Sequence, residues 1–137
     1  PFEPAAARRH FAGHAVERFD EALQLVGFAV LEDSRGEARF LLAERAEGRG
    51  NGGHPRWRVL DALAYPALAP DQGLVFGQCE REGVADGGLV AVVDAAQEAE
   101  WFDRVARAWR LDPAAGRLVE VEARGVRCVN EGWGYDG

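Results

Sequence analysis

Lysine, threonine, isoleucine and methionine are absent from this 137-residue chain, and Ser34 is its only serine. Without lysine the chain cannot form a lysine Schiff base, and it lacks the lysine of phosphate-binding loops and of protein kinases. The single serine falls in a predicted turn, which gives little support to a hydroxyl nucleophile. Carboxylates, two cysteines and three histidines therefore remain for acid, base or nucleophilic chemistry.

Cysteine is nearly as scarce, since only Cys79 and Cys128 occur. They are far apart in the sequence and match neither a zinc-ligand spacing nor a Cys-x-x-Cys motif. Both fall on predicted strands, and the favoured interpretation is two free, buried thiols in a cytoplasmic protein. The alternative is one disulfide between neighbouring strands in a periplasmic or secreted protein.

Positive charge is also in deficit, because the formal net charge is −7. An acidic chain lacks the clustered cations that bind phosphates, so we expect no nucleic-acid ligand. The acidity favours a basic partner, or else serves solubility alone. No apolar run approaches the roughly 20 residues that cross a bilayer as a helix, so we expect no membrane span.

The apolar patterning predicts an α+β fold. A helical spacing covers 14–23, and a second helix over about 95–108 has Asp94 as its N-cap and Gln97 as the capping-box partner. Apolar segments bounded by glycine, proline and aspartate predict the strands, with Gly36 taking a positive φ in a hairpin turn and Leu89 to Val93 forming a central strand. The predicted strands are Leu25 to Leu31, Ala38 to Ala43, Trp57 to Tyr65, Leu74 to Arg81, Leu89 to Val93, Leu118 to Val121 and Val126 to Asn130.

Short turns between these strands favour antiparallel pairing. We therefore expect a single curved antiparallel sheet of about six to seven strands with two helices packed on one face. The whole chain, 1–137, is predicted to be one domain. Within it, 1–13 is expected to fray, 46–56 to form a flexible glycine-rich loop, and 130–137 to form an aromatic and acidic tail.

The tail is the most unusual stretch, because it sets two aromatic residues among glycines and acids. Such a composition suits an adaptable contact surface better than a core. The alternatives are a tail that folds back and covers a sheet edge with Trp133, and a disordered tail. The residues predicted to bind a partner are Asn130, Glu131, Trp133, Tyr135 and Asp136, together with His54 of the glycine-rich loop.

The sequence also contains residues that suit two other kinds of site, a ligand pocket and a metal site. A ligand pocket between the sheet and the second helix would be lined by Trp57, Tyr65, Phe76 and Trp101. His10 and His14 have a spacing that can hold zinc on a helix, but no third strong ligand is evident, so no metal is predicted. No catalytic residue and no cofactor are predicted either.

The leading functional hypothesis is a small, acidic, non-catalytic bacterial protein that docks a protein partner in the manner of an immunity or inhibitor protein. The alternative is a small-ligand-binding or enzymatic domain built around the pocket. A homodimer is left open.

Overall fold

The computed structural model describes residues 8–10, 17–18, 25–49 and 55–134, and this part of the chain contains thirteen strands and no helix. The predicted α+β class, with one curved sheet and two helices, is therefore wrong. The strands are β1 (Arg8–His10), β2 (Glu17–Arg18), β3 (Leu25–Glu32), β4 (Ala38–Arg49), β5 (Pro55–Ala64), β6 (Gln72–Phe76), β7 (Cys79–Arg81), β8 (Val84–Ala85), β9 (Leu89–Asp94), β10 (Trp101–Phe102), β11 (Val105–Asp112), β12 (Arg117–Val121) and β13 (Val126–Val129).

The strands form three antiparallel sheets. The first has the order β1-β3-β4-β5, with β2 also pairing with β3; the second has β12-β11-β9-β6; the third has β10-β13-β7-β8. The chain divides into two compact units, 1–66 with 111–118, and 67–110 with 119–137. The single domain expected from the sequence stays a prediction. Within the described residues, no helix could span a membrane.

The hairpin between β3 and β4 closes through the side chain of Asp33. Its Oδ1 accepts the N–H groups of Arg35 (2.8 Å) and Glu37 (3.0 Å), and its Oδ2 accepts the Arg39 Nε–H (2.8 Å). The bond from the Glu37 N–H is the main cause that lowers the Asp33 pKa. Gly36 has a φ of 81°, so the predicted hairpin and the predicted role of this glycine are confirmed.

The predicted glycine-rich loop, 46–56, overlaps the ends of two paired strands. Strand β4 continues to Arg49 and β5 begins at Pro55, and these two residues face each other in the ladder. Residues 50–54 lie outside the described part of the chain. The predicted fraying of 1–13 falls outside it too, except for β1.

A β-bulge at Leu60 shifts the register between β4 and β5 and changes the direction of the next residue, Asp61. The Asp61 Oδ2 accepts the Leu118 N–H at 2.7 Å, and its Oδ1 accepts the Ala62 N–H at 2.9 Å. Asp61 thereby ties the start of β12 to β5 inside the first unit.

We expect Asp61→Ala to lower the free energy of unfolding by about 1–2 kcal/mol, because two backbone N–H groups lose a charged acceptor. Asp61→Asn keeps an acceptor oxygen and should lose less than half as much. Urea denaturation of the three proteins measures both differences. An alanine variant as stable as the parent would show that the bond to Leu118 does not stabilise the fold.

The predicted strand Leu74 to Arg81 is two strands that belong to different sheets. The chain leaves β6, bends at Gly77 with a φ of 82°, and continues as β7 in the third sheet. A left-handed φ favours glycine, which bears no Cβ. Gly77 therefore allows one apolar run to contribute to two sheets.

The core of the second unit lies between the second and third sheets. Strand β9 is its centre, since it pairs with β6 on one side and with β11 on the other, and its apolar residues are all buried. The prediction of a central strand at Leu89 to Val93 is confirmed. The buried residues of this cluster are Cys79, Leu89, Ala91, Val93, Ala108, Val126 and Cys128.

The second predicted helix begins instead as a loop. The Asp94 Oδ1 accepts the Ala96 N–H at 3.0 Å, which forms a turn rather than a helix cap. Gln97, expected in a capping box, donates from Nε2 to Asp103 Oδ1 (2.8 Å) and accepts the Arg104 N–H (3.0 Å). The same side-chain chemistry that caps helices therefore closes the loop that leads through β10 to β11.

A bulge explains the helical spacing in the rest of this segment. Ala106 is an extra residue in the ladder between β11 and β9, so Val105 and Ala108, three positions apart, both pack on the core. Aromatic and β-branched residues such as Trp101 and Val105 also favour strands. The prediction of a helix over 95–108 is wrong for these reasons.

Two central residues of the first predicted helix, 14–23, form a strand instead. Glu17 pairs with Val26 and Arg18 with Leu25, as β2 against β3. The other residues of the predicted helix lie outside the described part of the chain.

Cys79 and Cys128 face each other across β7 and β13, with their Cα atoms 4.0 Å apart, and form a disulfide. Both are buried, at 4% and 0% exposure. The interpretation as free thiols is wrong, and the alternative of a disulfide between neighbouring strands is what the structure contains.

We expect Cys79→Ala combined with Cys128→Ala to lower the free energy of unfolding by about 2–4 kcal/mol, because the bond closes a long loop in the unfolded chain. Chemical denaturation of the oxidised parent and the double variant measures the difference. Thiol titration of the unfolded, unreduced parent should find no free thiol, and two reactive thiols there would contradict the pairing.

Candidate functional site

The segment Asn130–Gly134, which we call the aromatic turn, leaves the end of β13 as an ordered turn. The Trp133 N–H donates to the Asn130 carbonyl at 3.1 Å, and Gly134 continues with a φ of 73°. Trp133 remains 51% exposed. The backbone that carries this large indole is thus held in a defined turn, with about half of the residue exposed to water.

Asn130 attaches the aromatic turn to the loop before β10. Its N–H donates to the Glu100 carbonyl (3.0 Å), and its Nδ2 donates to the Ala99 carbonyl (3.0 Å). Trp101 begins β10 directly after this loop and faces Val129 in the ladder. Asn130, which the sequence analysis places among the partner-binding residues, therefore anchors the turn through hydrogen bonds within the chain.

Gln78 attaches the aromatic turn on its other side. Its carbonyl accepts the Val129 N–H at 2.9 Å, and its Nε2 donates to Glu131 Oε1 at 2.5 Å. Because Gln78 directly precedes β7, the turn is fixed to a second strand of the third sheet. Hydrogen bonds therefore order the aromatic turn on both sides.

A stacked pair of side chains lies on the outer face of the same sheet. The Arg127 guanidinium carbon lies 3.8 Å from the centre of the Trp101 ring, and Arg127 Nε lies 2.7 Å from Glu80 Oε1. Arg127 and Glu80 face each other across β13 and β7, one position from the disulfide. A cation over an indole and a carboxylate beside the cation stabilise this arrangement together.

The structure brings together only part of the predicted partner-binding set. Asn130, Glu131 and Trp133 share the aromatic turn. Tyr135, Asp136 and His54 lie outside the described residues. A shallow depression lined by residues 96–99 and Arg104 lies beside the carbonyl to which Asn130 is attached.

The four residues predicted to line a pocket are divided between the two units. Trp57 and Tyr65 belong to the first unit, while Phe76 and Trp101 belong to the second. The helix that was expected to close the pocket is replaced by a loop and by β10. Trp101 is instead half-buried under Arg127.

The sequence did not identify Arg127, Glu80 or Gln78 as part of this surface. Alternation along β13 separates Arg127 from the buried Val126 and Cys128, but it does not say which residue lies opposite. The disulfide supplies that information, because pairing Cys79 with Cys128 also pairs Glu80 with Arg127. Taking the disulfide as a constraint would have predicted the contact.

No metal centre emerges from the described part of the chain, in which no three histidine, cysteine, aspartate or glutamate residues converge. His10 lies in β1, and His14 lies outside that part. Comparisons with protein-family models, curated proteins and solved structures find no match to this chain.

Partial burial raises the pKa of Tyr65 above the ordinary tyrosine value. The folded state then keeps the phenol proton to a higher pH than the unfolded state. We expect the free energy of unfolding to fall as pH rises through the ordinary tyrosine pKa, and to level off once folded Tyr65 has also ionised. Tyr65→Phe should remove this decline.

Ultraviolet absorbance of tyrosinate measures the ionisation directly. Since the chain has two tyrosines, a Tyr135→Phe background leaves Tyr65 as the only titrating phenol. Identical titration curves for the folded protein and the urea-unfolded protein would contradict the raised pKa.

Proposed function

We propose that this chain is a non-catalytic binding protein that docks a protein partner through the aromatic turn. One observation carries the proposal. Trp133 is half exposed, while hydrogen bonds attach the turn around it to the loop before β10 and to Gln78 before β7. Tryptophan is enriched among the residues that dominate binding energy. An ordered turn also spares a complex the entropy cost of fixing a flexible tail.

The net charge of −7 favours a basic partner. Long-range attraction of this kind mainly accelerates encounter, while the buried aromatic contact slows dissociation. In this proposal the acidic residues of the chain attract the partner, and Trp133 slows its dissociation. An immunity-like or inhibitor-like protein that covers a basic surface of its target fits both roles.

The inventory of reactive groups supports a non-catalytic role. Lysine and threonine are absent, and Ser34 lies in the turn between β3 and β4. Both thiols are joined in the disulfide and cannot act as nucleophiles in that state. The disulfide also supports the proposal that the protein works in an oxidising compartment, periplasmic or extracellular.

We expect Trp133→Ala to reduce binding of the partner by about 10-fold or more, as truncation of a central aromatic residue does at many interfaces. The purified protein is immobilised, and proteins captured from an extract of its host are compared between parent and variant by quantitative mass spectrometry. The specific partner is the species lost with Trp133→Ala.

Val84→Ala is the matched control, because Val84 is 68% exposed on β8, an edge strand that pairs with β7 and not with β13. This variant should retain the partner fully. Equal capture by parent, Trp133→Ala and Val84→Ala would contradict docking through the aromatic turn.

A further inference from the structure

The third sheet already contains one half-buried tryptophan whose ring is covered by a cation. Arg127 covers the Trp101 ring, and Glu80 holds the guanidinium in place. The arrangement needs three components, which are an indole face, a guanidinium and a carboxylate. Arginine suits it because its planar group stacks on the ring while its edge binds the carboxylate.

The aromatic turn contains two of these three components. Trp133 offers the indole, and Glu131, two positions earlier, offers the carboxylate. Gln78 holds Glu131 through Oε1 with a neutral amide, so the negative charge is oriented but not neutralised. Among the residues that the structure describes, no arginine covers Trp133 and no cation pairs with Glu131.

We propose that the partner supplies the missing arginine, which stacks on Trp133 and forms an ion pair with Glu131. This inference rests on the proposed docking function and specifies the chemistry of the partner. The acidic net charge of the chain is complementary to a partner surface that presents arginine. The recognised feature is therefore a protruding guanidinium on a protein surface, not a general basic patch.

The test uses the isotope-labelled full chain and two short synthetic peptides. One peptide alternates glycine with arginine, and the other replaces each arginine by the neutral isostere citrulline. The chain has four tryptophans, so the indole N–H signal of Trp133 is identified in the NMR spectrum by its absence from Trp133→Phe. Titration then gives the affinity of each peptide from the shift of that signal.

We expect the arginine peptide to shift the Trp133 signal and to bind about 3- to 10-fold more tightly than the citrulline peptide, as one cation–π contact with an ion pair allows at an exposed site. Glu131→Gln should weaken the arginine peptide by about 2- to 5-fold and leave the citrulline peptide unchanged. Added salt should reduce the preference for arginine. Glu122→Gln, which alters another exposed acid of the same unit, should change neither affinity.

Equal binding of the two peptides, or no shift of the Trp133 signal, would overturn the inference. A shift that depends on the concentration of the chain alone would identify the occupant as a second copy, whose exposed arginines include Arg104, and would also overturn it. If partner capture is lost in Trp133→Ala but kept in Glu131→Gln, docking through the aromatic turn is supported and the proposed contact with arginine is wrong. If neither variant changes capture, the proposed docking function itself is wrong.

Discussion

The pairing of Cys79 with Cys128 is the constraint on which the second unit depends. In a β-ladder, a slip of one residue would turn every side chain of a strand to the opposite face. The covalent bond forbids that slip between β7 and β13. It keeps both sulfurs in the core and, one position away, keeps Arg127 and Glu80 together on the outer face. The disulfide is therefore a structural bond that also determines the chemistry of the surface above it.

Several predictions based on local chemistry agree with the structure, although the predicted helix cap at Asp94 does not. The turn at Asp33 depends on one carboxylate that accepts two nearby N–H groups, and Gly36 depends on its own backbone freedom. The central strand β9 was recognisable because a short apolar run with no polar face must be covered on both sides. Each of these features is determined within a few residues of sequence.

The predictions that failed depended on where strands pair. The bulge at Ala106 places core residues three positions apart, and this spacing cannot be distinguished from one face of a helix by periodicity alone. Gly77 lets a single apolar run change sheets, which the alternation of residues does not reveal. At the candidate site, composition identified Trp133 and Glu131. Gln78, which donates a hydrogen bond to Glu131, is more than fifty positions earlier in the sequence. Only the pairing of β7 with β13 brings the two residues together.

The bond from Leu118 to Asp61 has a consequence for how the chain can be divided. Segment 111–118 belongs to the first unit, while the residues on either side of it belong to the second, so the chain enters the first unit twice. A fragment ending at Pro66 would retain the Asp61 carboxylate without its donor, and a fragment starting at Ala67 would retain the donor without its carboxylate. Neither unit is a contiguous module, and a fragment starting at Ala67 carries segment 111–118 without the rest of the first unit.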